Sequence, residues 1–429
     1  MDDLLRSYGA AIEALFARTT SGIKPGLERT ETILARLGSP HQKLTAIHVA
    51  GTNGKGSVVA ATEALLRTPG RKIGRYTSPH LIDFRERITV DGVPIPEAAV
   101  LDFLEKWTPA AEELGATFFE LTTALAFDWF ARQDVDIAVI ETGLGGRLDS
   151  TNVLSPRVAT VTSIGLDHTD LLGDTLEAIA REKAGIFKRA VPAVIGESAS
   201  DIRALLVQCA KEAGARPVTV IDDEYCVADI EVSASGTSFL IGRGSEQQRV
   251  TTPLIGAFQA RNTAIAIASV ASLGEQYLPA PSTISTKLTK LFLPGRFQRS
   301  GNFIFDVAHN PDGARTVAES IVALNPPAPR TALVSVLADK DWKGIIRALA
   351  PVVDRFVFTN APSAPAERRW DPSQAQIFAK SEGWESDLEP EFDRALDTAR
   401  KSGETLLVTG SFHTVGEAMS RLQVSPFAA

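Results

Sequence analysis

The apolar run Leu44–Ala50 leads directly into Gly51-Thr52-Asn53-Gly54-Lys55-Gly56-Ser57. A strand feeding a glycine-rich loop constrains the fold strongly. The strand must lie in a covered parallel sheet, with the loop at its carboxyl end, where successive backbone N–H groups can face an anion. Gly51, Gly54 and Gly56 remove the Cβ atoms that would block such an approach, Lys55 adds a mobile positive charge, and Ser57 is read as opening a helix. The spacing departs from GxxxxGK(S/T), because only Thr52 and Asn53 separate Gly51 from Gly54, and Gly56 stands between Lys55 and the hydroxyl. A polyphosphate, and hence a nucleotide, is the first ligand implied.

From residue 44 to about 290, β-branched apolar runs alternate with helical periodicity, the signature of an α/β fold with a mostly parallel sheet. Strands are expected at Leu44–Ala50, Ile73–Tyr76, Asp136–Glu141, Val158–Ser163 and Ala193–Ile195. Helices are expected at Ser57–Arg67, Glu97–Leu114, Leu121–Arg132, Leu176–Ala184, Ile202–Ala213 and Phe258–Leu273. The segment Tyr225–Thr252 alternates and carries Gly236, Gly242 and Gly244, which suggests antiparallel strands on the margin of that sheet. Leu293-Pro294-Gly295-Arg296-Phe297 is a turn signal before a second, smaller doubly wound unit with strands at Phe303–Val307, Thr331–Leu337, Arg355–Thr359 and Thr405–Thr409. Two domains follow, residues 1–295 and 296–429, as expected for 429 residues of which 44% are hydrophobic. Asn360–Ala366 reads as a surface loop.

A net charge of −8 argues against a nucleic-acid partner, which would require a basic face. Cys209 and Cys226 give neither a disulfide framework nor ligand spacing, so a reducing compartment is expected. The first residues are amphipathic and charged rather than a leader, and no apolar window is long enough to span a bilayer. These features suggest a soluble, cytoplasmic enzyme.

Glu141 ends an apolar strand before the turn Thr142–Gly146, which is where an α/β ATPase holds the metal of its nucleotide. His168 follows another strand end, and alone it reads more readily as a hydrogen-bonded structural residue. Lys183, in the last turn of a helix, by pattern complements the helix dipole. Ser78, in Tyr76-Thr77-Ser78-Pro79-His80-Leu81, could give a hydroxyl to a hard cation or simply mark a turn. Asp306 and His309 stand at a strand end of the second unit and Arg296 at the junction. Together they could close a cleft, although Asn310-Pro311-Asp312-Gly313 would also serve as a plain helix cap.

Taken in order, GTNGKGS (51–57), YTSPHL (76–81), FFELTTALAF (118–127), ETGLGGRLDSTNV (141–153), SIGLDHTDLLG (163–173), EKAGIFK (182–188), PGRFQ (294–298), DVAHNPDGA (306–314) and VTGSFHTVGE (408–417) resemble the folylpolyglutamate synthase/dihydrofolate synthase family of the Mur ligase superfamily. The resemblance implies an N-terminal P-loop-type ATPase domain, a smaller C-terminal Rossmann-like domain and an active site between them. Thr52, Asn53, Gly54, Lys55, Gly56 and Ser57 would hold ATP, with Asn262, Arg296, Asp306 and His309 on the nucleotide side. Two Mg²⁺ ions are implied, one on Ser78 and Glu141, the other on His168, Glu141 and a carbamylated Lys183. That reverses the pattern reading of the lysine, since carbamylation turns an ammonium into an anionic oxygen ligand. Lys55, Glu141, His168 and Lys183 would form the catalytic set.

A pterin pocket is also implied, from Ala17, Arg18, Thr19 and Thr20, from Thr117, Phe118, Phe119 and Glu120, and from Leu148, Asp149 and Ser150. An aromatic face suits a flat ring, while one of the two phenylalanines is expected to be core. Phe258 stands where the family often carries His, so that side chain loses any nucleotide role. The small-molecule partners implied are dihydropteroate, folates and L-glutamate, and the family favours a monomer. The alternatives are a monofunctional folylpolyglutamate synthase, another Mur-type amide ligase, or a nucleotide switch. The pterin-type segments speak against the switch.

Overall fold

The structure, a computed structural model, describes residues 2–17 and 26–427, with side chains of the first helix from Tyr8 onward. Its strands, in chain order, are β1 Ala46–Ala50, β2 Ile73–Tyr76, β3 Ile88–Val90, β4 Val93–Pro94, β5 Ile137–Glu141, β6 Val158–Val161, β7 Ala193–Ile195, β8 Val218–Val220, β9 Cys226–Ser233, β10 Gly236–Arg243, β11 Glu246–Thr252, β12 Gln298–Ser300, β13 Phe303–Phe305, β14 Arg330–Val334, β15 Arg355–Phe358, β16 Ser386–Leu388 and β17 Thr405–Thr409.

The first eight form one sheet in the order β4-β3-β2-β5-β1-β6-β7-β8. Neighbours from β2 to β8 run parallel, and the β3–β4 hairpin is antiparallel at one edge. β1 lies in the middle and is buried along its whole length, as the apolar run requires. On one face the helices Lys55–Leu66 and Phe258–Leu273 pack through Val58, Val59, Leu65, Ile265 and Val270. On the other, Glu97–Glu113 and Phe118–Arg132 pack through Val100, Phe103, Leu121, Leu125 and Phe127.

Local differences from the sequence reading have local causes. The helix after the phosphate loop begins at Lys55, not Ser57, because Gly54 takes a left-handed φ of 84° and acts as its cap. The Phe118–Arg132 helix starts three residues early because Thr117 and Glu120 form a capping box. β9–β11 are not on the margin of the large sheet but form a separate antiparallel sheet, whose Phe239, Ile241 and Val250 join the core under Phe258–Leu273. The loop 360–366 is only partly at the surface, since Ala361 and Ala364 are buried.

The last six strands form a sheet in the order β12-β13-β17-β14-β15-β16, parallel except for β12. Its two faces are covered by the helices Pro311–Leu324, Trp342–Leu349 and Pro372–Ser381 on one side, and Phe392–Ser402 and Phe412–Arg421 on the other. Thus two parallel sheets each end in a row of loops. No helix among the described residues is long and apolar enough to cross a membrane.

Candidate active site

The carboxyl ends of β1, β5 and β6 are drawn together by backbone bonds that continue the sheet into its loops. Thr142 N donates to Val49 O at 2.9 Å, Thr162 N to Ala50 O at 2.9 Å and Thr52 N to Ser163 O at 2.7 Å. The Thr52 hydroxyl donates to Gly165 O at 3.1 Å, and Thr162 Oγ1 to Asn53 O at 2.7 Å. These contacts fix the loop from the sheet side and leave its outer side open. Lys55 Nζ rests on the carbonyls of Gly51 (3.0 Å) and Thr52 (3.2 Å). A Cβ at Gly54 would meet Asn262 Oδ1 at 2.6 Å. Ser57 and Asn262 are both buried, the latter donating to Gln259 Oε1 at 3.0 Å.

Glu141 is 4% exposed, and its Oε2 accepts Ser78 N at 3.3 Å. Burial raises its carboxyl above the usual range, against the charges of Lys55 and Arg296. Lys183 is 5% exposed and donates from Nζ to Gly51 O at 2.9 Å, so the helix-end lysine points into the phosphate loop rather than at its own dipole. Burial, followed by the charge of Lys55, lowers its pKa to about 7. A Cβ at Gly146 would touch the Lys183 and Glu182 carbonyls at 2.8 and 2.9 Å, so the glycine turn after Glu141 allows this helix to approach.

His168 takes a left-handed φ of 52° as the cap of Thr169–Leu172. Burial, with Lys340 next to it, lowers its pKa to about 4, so the ring is neutral at neutral pH. Asp167 beside it collects charges from the second sheet: Lys340 Nζ lies 2.5 Å from Oδ1, His309 Nε2 3.3 Å from Oδ2, and Asn310 Nδ2 3.4 Å from Oδ2. Burial would raise the Asp167 carboxyl, but the His309 bond and the charges of His309, Lys340 and His168 hold it well below the carboxylate range. Asn310 also bonds Asn53 Oδ1 at 3.1 Å, tying the two rows of loops together. Arg296 is partly buried, with Asp306 and Glu141 acting on its charge and its Cζ 5.1 Å from the Phe412 ring centre. Asp306 accepts Phe297 N at 2.8 Å and Ala308 N at 2.9 Å.

The pterin-type segments divide. Phe119 lies against Gly143, where an added Cβ would sit 2.4 Å from its ring, and Phe118 stacks on Phe16 at 4.9 Å. The Glu120 carboxylate is taken by Arg29 (2.9 Å) and by Thr117 N (2.7 Å), and Asp149 accepts Gly143 N, Leu144 N and Thr151 N. Both acids therefore hold backbone in place. Ser150 is buried, Leu148 is 38% exposed and Ala17 ends the first helix, whereas Arg18, Thr19 and Thr20 lie outside the described residues.

Among the described residues no three His, Cys, Asp or Glu side chains group closely enough to hold a metal ion. The donors fit a hard cation that arrives with phosphate oxygens, adding the Glu141 carboxylate, a Ser78 hydroxyl and a neutral His168, rather than a cation caged by protein alone. Sequence reasoning missed Asp167 and Lys340. The first stood unused beside His168, and the second lies in Ala338-Asp339-Lys340-Asp341, which follows the expected strand Thr331–Leu337 but carries no glycine.

The chain matches the Mur ligase middle domain over residues 49–270 and the Mur ligase glutamate ligase domain over residues 295–412. It is 32% identical to the dihydrofolate synthase/folylpolyglutamate synthase of Bacillus subtilis, over 98% of this chain and 100% of that one. A Mycobacterium tuberculosis folylpolyglutamate synthase complexed with ADP superposes with a TM-score of 0.90 at 31% identity, covering 99% of this chain and 100% of that one. A bifunctional folylpolyglutamate synthase/dihydrofolate synthase with Mn, AMPPNP and L-glutamate bound gives a TM-score of 0.82 at 32% identity, covering 94% and 95%.

Proposed function

We infer the activity from one premise: this chain belongs to the Mur ligase family and, within it, to the dihydrofolate synthase/folylpolyglutamate synthase enzymes. It is an ATP-dependent ligase that joins L-glutamate to dihydropteroate and to the glutamate tail of folates through an acyl phosphate, and it uses a nucleotide and a divalent metal. The observation that carries this reading is the junction of Asn53 and Asp167 with Asn310, His309 and Lys340. A ligase must bring a nucleotide and two further substrates into one water-poor cleft, and strand-end loops of two parallel sheets meeting face to face supply one.

The acceptor carboxylate attacks the γ-phosphorus and ADP leaves. The glutamate amine, having lost a proton, then attacks the acyl carbon and expels phosphate. Lys55 leaves its resting carbonyls for the phosphates, which the backbone N–H groups of residues 53–57 cradle from the other side. Asn262, Arg296, Asp306 and His309 take the nucleotide side. We assign Ser78 and Glu141 to one Mg²⁺, and His168, Glu141 and a carbamylated Lys183 to a second; when bound, these ions would neutralise charge on the transferring phosphoryl oxygens. A lysine with its pKa near 7 supports the carbamate, since about half its amines are free to add CO₂ at neutral pH. The pterin pocket is assigned to residues 17–20, 117–120 and 148–150, and the two domains to 1–295 and 296–429. The enzyme is proposed to work as a cytoplasmic monomer, on small molecules rather than nucleic acid.

Glutamate ligation with dihydropteroate and with tetrahydrofolate, run side by side, tests this. Turnover of both is expected. Phosphate release that ignores acceptor and glutamate alike would defeat the ligase reading, and activity with tetrahydrofolate alone would remove the first of the two reactions.

A further inference from the structure

Arg87 ends the short helix Phe84–Arg87 and is 6% exposed. A guanidinium this enclosed normally has a carboxylate partner, because an unpaired buried charge is costly. Even the less enclosed Arg75 pairs with Glu63 at 3.0 Å. Arg87 pairs with no carboxylate among the described residues. Its one side-chain hydrogen bond there runs from Nε to His80 Nδ1 at 2.7 Å, which leaves both terminal nitrogens without an acceptor among the described residues. The adjacent acid, Glu86, is already committed to the backbone N–H groups of Leu81, Ile82 and Asp83 at 2.7–2.9 Å.

The surroundings point to a particular kind of anion. The Arg87 Cζ lies 5.1 Å from the centre of the Phe118 ring, which itself stacks on Phe16. His80, which orients the guanidinium, is two residues past Ser78, whose N–H bonds Glu141. Phe119, next to Phe118, covers the turn just beyond Glu141. Arg87 therefore stands where an aromatic wall meets the carboxyl ends of β2 and β5. An aromatic acid lying along that wall would bring its carboxylate to the guanidinium on one side and to the phosphoryl-transfer site on the other.

We propose that Arg87 anchors the carboxylate end of the acceptor: its terminal nitrogens take carboxylate oxygens side by side while the attached ring lies along the half-buried Phe119, Phe118 being enclosed between Phe16 and the guanidinium. The proposal rests on the ligase reading above and names a residue that the pterin-pocket assignment lacks. Arg–carboxylate pairing of this type is strong and fixes geometry. An oxygen held this way keeps a further lone pair for attack on phosphorus. His80 accepts at Nδ1 and so carries its proton on Nε2, which locks the plane of the guanidinium.

The test is equilibrium binding of dihydropteroate and of its methyl ester to the wild type, Arg87→Lys and Arg87→Gln, alongside ATP binding and glutamate ligation. The wild type should favour the acid by about ten-fold or more, Arg87→Gln should bring the ratio close to one, and Arg87→Lys should restore part of it. In Arg87→Gln the acceptor KM should rise while the ATP dissociation constant stays within about two-fold, a split that a purely structural role would not give. A wild type indifferent to esterification would overturn the proposal without any variant, which matters if Arg87→Gln does not fold. So would a folded Arg87→Gln that keeps the wild-type ratio. If the acid preference depends on Arg87 but neither acceptor is ligated, the anchor stands and the substrate reading above falls. Normal ligation with an unchanged ratio removes the anchor alone.

Discussion

Two loops in this protein do the same topological job with opposite chemistry. Residues 51–57 and 306–313 each leave the carboxyl end of a parallel strand and open a helix. In the second, Asn310 Oδ1 caps Gly313 N at 2.8 Å, and Asp306 takes the N–H groups of Phe297 and Ala308. In the first, the cap is Gly54, which has no side chain to offer, and the nearest charge, Lys55, rests on carbonyls. A loop that satisfies its own donors is a structural joint, whereas one that leaves them open at a helix start is prepared for an anion.

The contrast can be broken most severely at Lys55. Lys55→Met should lower ligation about 10²–10³-fold with little loss of thermal stability, since the resting hydrogen bonds of Lys55 are only to the Gly51 and Thr52 carbonyls. Steady-state ligation set against a thermal melt checks this. Equal losses of activity and fold would make Lys55 a structural residue like Asn310.

Lys183→Ala should cost roughly 100-fold, with partial recovery on adding a short carboxylic acid if a carbamate is missing. Stability carries a second sign. Lys183 binds its proton more weakly folded (about 7) than unfolded (10.5), so the unfolded chain holds more protons between those values. The penalty of the buried ammonium is thus fully present below pH 7 and fades as the pH rises. Melting of the wild type relative to Lys183→Met should therefore improve from pH 7 to pH 9, and parallel curves would refute the lowered pKa.

Lys340→Met leaves Asp167 as a buried carboxylate with weaker company and should destabilise by about 2–3 kcal/mol in denaturant unfolding. The lowered carboxyl pKa should also move up. An NMR titration of Asp167 that does not shift would show that His309 holds the carboxylate without help from Lys340.

The smallest effect belongs to the joint. Asn310→Ala removes one helix cap and should cost about 1 kcal/mol. Its contact with Asn53 should make ATP affinity fall slightly as well, and calorimetry of ATP binding decides whether the joint reaches the phosphate loop at all.

Much of the first loop was legible because its chemistry is local: glycines, a lysine and an apolar strand lie within a dozen residues. Glu141 and Asp306 were legible for the same reason, as polar residues closing apolar runs. The misplaced antiparallel segment shows the limit. Alternation identified β9–β11 as strands, but which sheet they join depends on packing against Phe258–Leu273, and no periodicity within the segment records that. The helix start at Lys55 was missed because Gly54 caps through its backbone conformation, which its identity permits but does not dictate.

By itself, then, the sequence determined the strand–loop–helix units, the alternating architecture and the glycine-rich, lysine-bearing loop 51–57, all of which arise from forces acting within a few residues. Only the tertiary structure decided that Lys183 turns from its helix end into that loop, that Lys340 meets Asp167 across the cleft, and that Arg87 is enclosed with no carboxylate partner among the described residues. Burial and pairing of charge depend on which distant segments surround a side chain, and that is fixed when the sheets and helices pack together.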